Sequence, residues 1–416
     1  MFSFYWRRIF IGKLIILATL LLLGFYLVLL RLTQLPFMRR TFQDARIFER
    51  PRIRLQQNGD YWIYHDYIVA WGSEFQGNQS VTLTTHGRYD DLKDLEWLMV
   101  RWRAPISVAV FVGPEDFEPT LYTFYHLKYC SIFGGSFTNW VSVQLVLDNE
   151  HLTDEVRRMQ PNRERGFKCL SPEEMDAKFV PSTEYSEKWK YPMNLLKNVA
   201  RQNARTHFVF PLELNLLPTR NFAKTFLQFA QEVQLPNPFR SVFCVPILPY
   251  NSYTPNSMYP PKYKSDLPRF IQPYLNGSES LTAIEYKKLK GLERWLNTTV
   301  PDGEMTVYRV GKSPENCAAY VSTNFYEPLY DQRYLDNPYT TDSARLQVLF
   351  GLDFDFVVMD GTFLMHRLNF NISSVYRSQH EYMPPNETQI REMIMLNELL
   401  PKTIPEGPLV PYPLHK

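Results

Sequence analysis

Hydrophobic positions fall into three patterns along the chain. The first is an unbroken apolar run, residues 14–30 (LIILATLLLLGFYLVLL), bounded by Lys13 and Arg31. Its seventeen residues, at about 1.5 Å each, reach about 25 Å, the short end for a helix crossing a bilayer. It has no polar stripe, and no small-residue cleavage site follows it, only Arg31-Leu32-Thr33-Gln34-Leu35-Pro36. It therefore reads as an uncleaved transmembrane anchor rather than a core helix or a signal peptide. The second pattern is the short β-branched run: residues 106–112 (ISVAVFV) and 141–147 (VSVQLVL) predict strands buried on both faces. Residues 207–212, 241–247 and 354–359 read as further strands. The third is apolar spacing near the helical period, which predicts helices over 118–128, 193–204, 221–233 and 283–296. Strand and helix alternate, so the expected fold is α/β, a mostly parallel sheet flanked by helices.

The rest of the chain divides around these patterns. Residues 1–13 are a short tail and 31–60 a basic, proline-punctuated stem without sustained periodicity. Residues 61–416 are one globular domain. With 45% hydrophobic, 15% aromatic and 21% charged residues, the chain can bury large cores, which excludes extensive disorder. The net charge of +2 provides no field for nucleic acid, and no nucleic-acid partner is expected. Basic residues lie on both sides of residues 14–30, so charge does not orient the anchor. The sequons at Asn78, Asn276, Asn297, Asn371 and Asn386 all lie beyond it, as do all four cysteines. That arrangement fits a type II membrane protein with a cytosolic tail and a lumenal, oxidising compartment for the rest. Cys130 and Cys169 flank the strand at 141–147, and a bridge between them is expected. Cys244, inside the strand at 241–247, reads as a buried thiol. No cysteine or histidine spacing suggests zinc.

In a sheet of this kind ligands gather at the carboxyl ends of strands. The strand at 207–212 runs into Glu213-Leu214-Asn215-Leu216-Leu217-Pro218-Thr219. Glu213 and Asn215, two residues apart, could offer oxygen ligands to a divalent cation. The same triplet is also an ordinary strand end or helix cap.

Four blocks, in order, resemble the LARGE-type and β-1,4-glucuronyltransferase family, whose fold is GT-A. The stretch beginning YPMNLLKNVARQNARTHFVFPLELNLLPT at Tyr191 resembles the family's N-x-x-R-N-x-A-R helix followed by a strand ending in Asp-x-Asp. Residues 102–110 (WRAPISVAV) resemble its W-x-G-P-I-S-x-A-V strand. Residues 326–334 (YEPLYDQRY) resemble a shortened Y-E-P-x-Y-x-x-Y-D-E-R-F, and 354–366 (FDFVVMDGTFLMH) resemble F-x-F-x-V-L-(N/D)-x-A-F-x-V-H. The resemblance implies a Golgi or endoplasmic-reticulum enzyme that moves a sugar, glucuronic acid in the best-known members, from a UDP donor to a glycan or glycoprotein acceptor with inversion. It also implies manganese on the donor diphosphate, where a Lewis acid stabilises the leaving group. Carried over residue by residue, the metal positions are Glu213, Asn215 and His366.

Both carboxylates of the family's Asp-x-Asp are altered. Glutamate adds a methylene, and asparagine keeps an oxygen while losing a full charge. Inversion needs a carboxylate to take the acceptor's proton, and Asp331 and Asp360 are the candidates; Gln332 stands where the family motif has glutamate and cannot act as a base. Arg333 could hold a substrate carboxylate through its guanidinium fork. Two functions therefore stand: a working glycosyltransferase, or a catalytically inactive relative that binds a glycan, a nucleotide sugar or a partner enzyme.

Overall fold

A computed structural model of the protein describes residues 21–24, 54–71, 75–113, 116–148, 167–179, 191–235, 237–251, 260–275, 291–314, 317–332 and 338–368. The chain divides into two units, Met1–Arg52 and Ile53–Lys416. In the first, residues 21–24 form a helical turn with Leu21, Leu22 and Leu23 exposed. The remainder of the proposed anchor at 14–30 lies outside the described residues. Among those described, no helix is long and apolar enough to cross a membrane.

The second unit opens with a hairpin, β1 (Arg54–Asn58) and β2 (Tyr61–Ile68), then β3 (Gly77–Gly87). Strand structure thus begins inside the segment 31–60 assigned to a stem. Helix α1 (Leu95–Trp102), β4 (Ile106–Val112), α2 (Phe117–Tyr125), α3 (Gly134–Trp140) and β5 (Val141–Asp148) follow. After α4 (Pro172–Lys178) come α5 (Met193–Gln202), β6 (Thr206–Pro211), β7 (Leu216–Pro218), α6 (Phe222–Glu232), β8 (Ser241–Cys244) and β9 (Ile247–Asn251). The last stretch holds α7 (Leu267–Leu275), α8 (Glu293–Leu296), β10 (Thr306–Gly311), β11 (Tyr320–Thr323), α9 (Pro338–Gly351), β12 (Asp355–Asp360) and β13 (Leu364–Leu368). Of the helix expected over 283–296, the part before residue 291 lies outside the described residues.

Ten strands form one sheet in the order β1-β2-β5-β4-β3-β6-β11-β8-β12-β10. Its centre, β5-β4-β3-β6, is parallel, and β8 is parallel to β12. The remaining pairs are antiparallel. The sheet is therefore mixed, and the expectation of a mostly parallel one is corrected. At the edges β1, β2 and β10 pair antiparallel, and inside the sheet β11, four residues, YVST, enters between β6 and β8 antiparallel to both. So short and half-polar a run gives no sequence signal.

Strand β4 shows why the centre is buried on both sides. Ile106, Val108, Val110 and Val112 pack into one core with Trp102, Phe210 and Phe222. Ala109 and Phe111 face the other way, onto Tyr191, Leu195, Leu196 and Val199 at α5. Alternation along a strand sends successive side chains to opposite layers, so a run of β-branched residues satisfies both. A third cluster joins Val242, Tyr320, Phe356 and Val358 to Leu349 of α9.

A small second sheet, β7-β13-β9, positions the site. β7 follows β6, β9 follows β8 and β13 follows β12, so the small sheet is built from the continuations of three strands of the large one. Gly361 makes the β12–β13 turn with φ +77°, and a Cβ there would collide with the Glu304 carbonyl. Glycine alone suits that position.

Two disulfides brace the unit. Cys130 is bonded to Cys169, and Cys244 at the end of β8 is bonded to Cys317 just before β11. Reading Cys244 as a free thiol is corrected: its partner lies 73 residues further on, a separation no local spacing reveals.

Candidate active site

The site assembles where β3 and β6, parallel neighbours, both end. Leu212 continues the pairing by donating its amide to the Thr84 carbonyl (2.9 Å), and the Leu216 amide bonds back to the Glu213 carbonyl (3.0 Å). This turn carries Glu213-Leu214-Asn215 between β6 and β7. Leu214 is buried, while the side chain of Glu213 is 21% exposed.

Glu213 is met from two sides. One carboxylate oxygen lies 3.2 Å from Lys197 Nζ of α5, and the other 3.4 Å from His86 Nε2 at the end of β3. The other ring nitrogen of His86 sits 2.7 Å from the Tyr191 hydroxyl. Tyr191 is fully buried, and burial, with Asp91 and Glu213 nearby, pushes its hydroxyl well above the usual phenol range. On the far side of the turn, β13 pairs with β7 so that His366 lies opposite Leu216, next to Asn215. Asn215 Nδ2 is 3.2 Å from His366 Nε2. Asn215 and His366, 151 residues apart in sequence, thus share one edge with Glu213.

Helix α5 carries more than Lys197. Asn194, Lys197, Asn198 and Arg201 recur at i, i+3, i+4 and i+7, one face of a helix, and all four are buried. That polar face receives the segment 324–331. Arg201 donates to the carbonyls of Pro328 (2.9 Å), Asn324 (2.9 Å) and Glu327 (2.6 Å). Asn198 donates to the Tyr330 carbonyl and accepts from its amide, both at 2.8 Å, and Asn194 donates to the Asp331 carbonyl at 2.7 Å. Lys197 Nζ lies 5.5 Å from the centre of the Tyr330 ring. Asp331 is thereby fixed beside the helix that holds Glu213, with its side chain half-buried.

Glu327 anchors the segment from beneath. It lies between Arg201 (3.5 Å) and Arg345 (2.5 Å) and accepts from the hydroxyls of Tyr320 (2.6 Å) and Ser322. Burial pushes its carboxyl up, but the two guanidinium groups and the hydroxyls outweigh this and hold it below its ordinary value.

Asp360 has a different set of partners. It ends β12, is 3% exposed, and is enclosed by Lys264 Nζ (2.5 Å), the Thr298 hydroxyl (2.5 Å) and the Gly361 amide (2.7 Å). None of these belongs to the cluster around Glu213. Arg333 lies outside the described residues, as do Asn276, Asn371 and Asn386. Asn78 and Asn297 are exposed.

Residues 80–399 match the model of a family described as "glycosyl-transferase for dystroglycan". The chain belongs to this glycosyltransferase family. Among similar proteins, beta-1,4-glucuronyltransferase 1 of Danio rerio is 28% identical over 188 residues, 41% of this chain and 41% of that protein. The xylosyl- and glucuronyltransferase LARGE2s of Gallus gallus is 27% identical over 188 residues, 44% of this chain and 23% of its own length. LARGE1 of Gallus gallus is 21% identical over 344 residues, 80% of this chain and 37% of that protein. The chain thus spans less than half the length of each of these relatives. A large mixed sheet flanked by helices fits the GT-A-like fold expected of the family.

The family implies a divalent cation, and the donor set here fits one poorly. Its one carboxylate, Glu213, is already paired with an ammonium. The two neutral groups, Asn215 and His366, face each other. Cation affinity rises with the number of anionic ligands, and this donor set of three has one carboxylate. Among the described residues, no group of three or more histidine, cysteine, aspartate or glutamate side chains could hold a metal ion.

Lys197, His86, Tyr191 and Glu327 are site residues that pattern reading did not single out. A signal existed for Lys197: four polar residues at helical spacing on a helix whose other face is apolar. His86 and Tyr191 carried none, because they meet Glu213 only through the parallel pairing of β3 with β6 and the packing of α5.

Proposed function

We propose that this protein transfers a sugar from a UDP donor to a glycan on a glycoprotein acceptor, with inversion. Glucuronic acid is the proposed sugar, because the relatives are named glucuronyltransferases. The observation that carries the reading is the convergence of Glu213, Asn215, His366 and the Asp331 segment on one sheet edge in a chain of this family. Asp331 is the proposed base: its carboxylate takes the proton of the acceptor hydroxyl as that oxygen attacks the anomeric carbon and the UDP diphosphate leaves from the opposite face. Arg333, two residues on, is proposed to bind the uronate or acceptor carboxylate. Asp360, already enclosed by Lys264 and Thr298, is the weaker candidate base.

The proposed location is the Golgi or endoplasmic-reticulum membrane, anchored through 14–30 with the remainder lumenal. Protein made in a eukaryotic host should then lose mass on endoglycosidase treatment, with Asn78 and Asn297 as exposed acceptors. Unshifted mobility would contradict this topology. The altered Asp-x-Asp positions favour a second reading, a catalytically inactive relative. The two separate when the full chain, in detergent, is incubated with a panel of UDP-sugars and glycan acceptors. UDP release with a matching mass increase of the acceptor is the expected result. UDP binding without transfer from any donor would establish the inactive relative instead.

A further inference from the structure

We infer that the exposed aromatic surface at the amino end of the central strands is covered by the N-linked glycan of Asn78, which braces the fold there and takes no part in transfer. The inference rests on the lumenal, glycosylated reading above and deepens it. Strands β3, β4, β5 and β6 are parallel and begin at this end, whereas the candidate site lies where β3 and β6 stop, a strand's length away. Phe75, just before β3, and Trp140, just before β5, stack with ring centroids 6.1 Å apart and planes 15° from parallel. Trp71 joins them, because the residue before it, Ala70, donates its amide to Ser142 Oγ, two residues past Trp140, at 3.1 Å. Trp71 is 64% and Phe75 37% exposed, in a unit that buries Trp102 and Trp295 almost completely. Ring faces left in water on this scale mark a surface that something apolar covers.

The next turn of the chain supplies the occupant. Gln79 donates its amide to the Gln76 carbonyl (3.1 Å), and the Gln76 amide donates to Gln79 Oε1 (2.9 Å), so residues 76–79 form a tight turn with Gly77 and Asn78 at its tip. Gly77 takes φ +52°, the left-handed conformation that suits glycine. Every residue from Phe75 to Gln79 is exposed. Three residues of chain span at most about 11 Å, and the turn shortens the path from Phe75 to Asn78. The first sugar on the Asn78 amide is therefore within reach of the Phe75 ring. A pyranose suits that ring: one of its faces is a patch of axial C–H groups that meets the negative face of an aromatic, while its hydroxyls stay in water. Asn297 provides the contrast. It is exposed at the end of α8, where the aromatic two residues before it, Trp295, is buried.

The test uses the full chain in detergent, made in a eukaryotic host with 13C-labelled N-acetylglucosamine. Sugar resonances at Asn78, assigned by their loss in Asn78→Gln, should be displaced upfield by ring currents relative to those at Asn297, and Phe75→Ala should return them to the Asn297 positions. Thermal unfolding gives a second readout. Asn78→Gln should lower the midpoint by roughly 2 °C in the parent and leave it unchanged in Phe75→Ala; the cycle cancels the Phe75–Trp140 stack, which both Phe75→Ala chains lack. Equal losses in the two backgrounds, or coincident sugar resonances at Asn78 and Asn297, would overturn the inference. So would an Asn78 without glycan in a chain glycosylated elsewhere, which leaves the topology standing, whereas a chain glycosylated nowhere would overturn the topology itself. Undisplaced sugar resonances, with a Trp71→Phe change in emission seen only in lipid vesicles or only at high protein concentration, would assign the surface to a bilayer or to a second copy instead.

Discussion

Glu327 shows most clearly how one residue sets the geometry of the rest. Enclosed by Arg201, Arg345 and two hydroxyls, it turns two buried guanidinium groups into the clamp for the 324–331 segment. Removing it leaves both arginines buried without a counter-charge, so Glu327→Gln should destabilise the protein by about 3–5 kcal/mol in denaturant unfolding. A change within error would contradict the network. Because the carboxyl is held below its ordinary value of 4.5, its contribution is complete above that pH and is lost as pH falls through the lowered value. Acid, not base, should therefore weaken the parent, and Glu327→Gln should flatten the acid limb of stability against pH. The sequence showed Glu327 only as part of a Tyr-Glu-Pro block. Its partners sit on three separate elements, so its role became visible only once α5 and α9 were packed against β11.

At the scale of elements, α5 has two faces, and only one was legible. Leu195, Leu196, Val199 and Ala200 announce a helix packed on a sheet, and the expected span of 193–204 matches α5 to within two residues. The opposite face reads in sequence as the solvent side of an amphipathic helix, yet Asn194, Lys197, Asn198 and Arg201 are buried because an irregular segment uses them as hydrogen-bond partners. Asn198→Ala deletes both bonds to Tyr330 and should cost about 1–3 kcal/mol. It should also raise amide exchange across 324–331 ahead of the rest of the chain; exchange spread evenly over the unit would contradict a local role. The cysteine bridge at β8 belongs to this scale too. A closed loop of 73 residues corresponds to about 4 kcal/mol in the chain-entropy account, so Cys244→Ser should lower the unfolding midpoint markedly, and reductant should do so in the parent. Insensitivity to both would argue against the bridge.

For the whole molecule, the strands expected at 106–112 and 141–147 are β4 and β5, and β6 and β12 lie within a residue of the spans expected for them. Long β-branched runs report burial directly. The antiparallel β11 and the three-stranded sheet were illegible, because their strands are short and defined by pairing with residues distant in sequence; the hairpin β1–β2 pairs locally but is mixed in character. Yet that small sheet is what brings His366 to Asn215, so the site's last component came from topology rather than from pattern. The central claim is that the edge formed by the ends of β3 and β6, α5, the 324–331 segment and β13 receives a nucleotide sugar. Hydrogen–deuterium exchange of the full chain with and without UDP tests it most directly. The account predicts protection confined to residues 84–91, 194–201, 212–217, 324–332 and 362–367. Protection centred elsewhere, or none at a UDP concentration that saturates calorimetric binding, would contradict it.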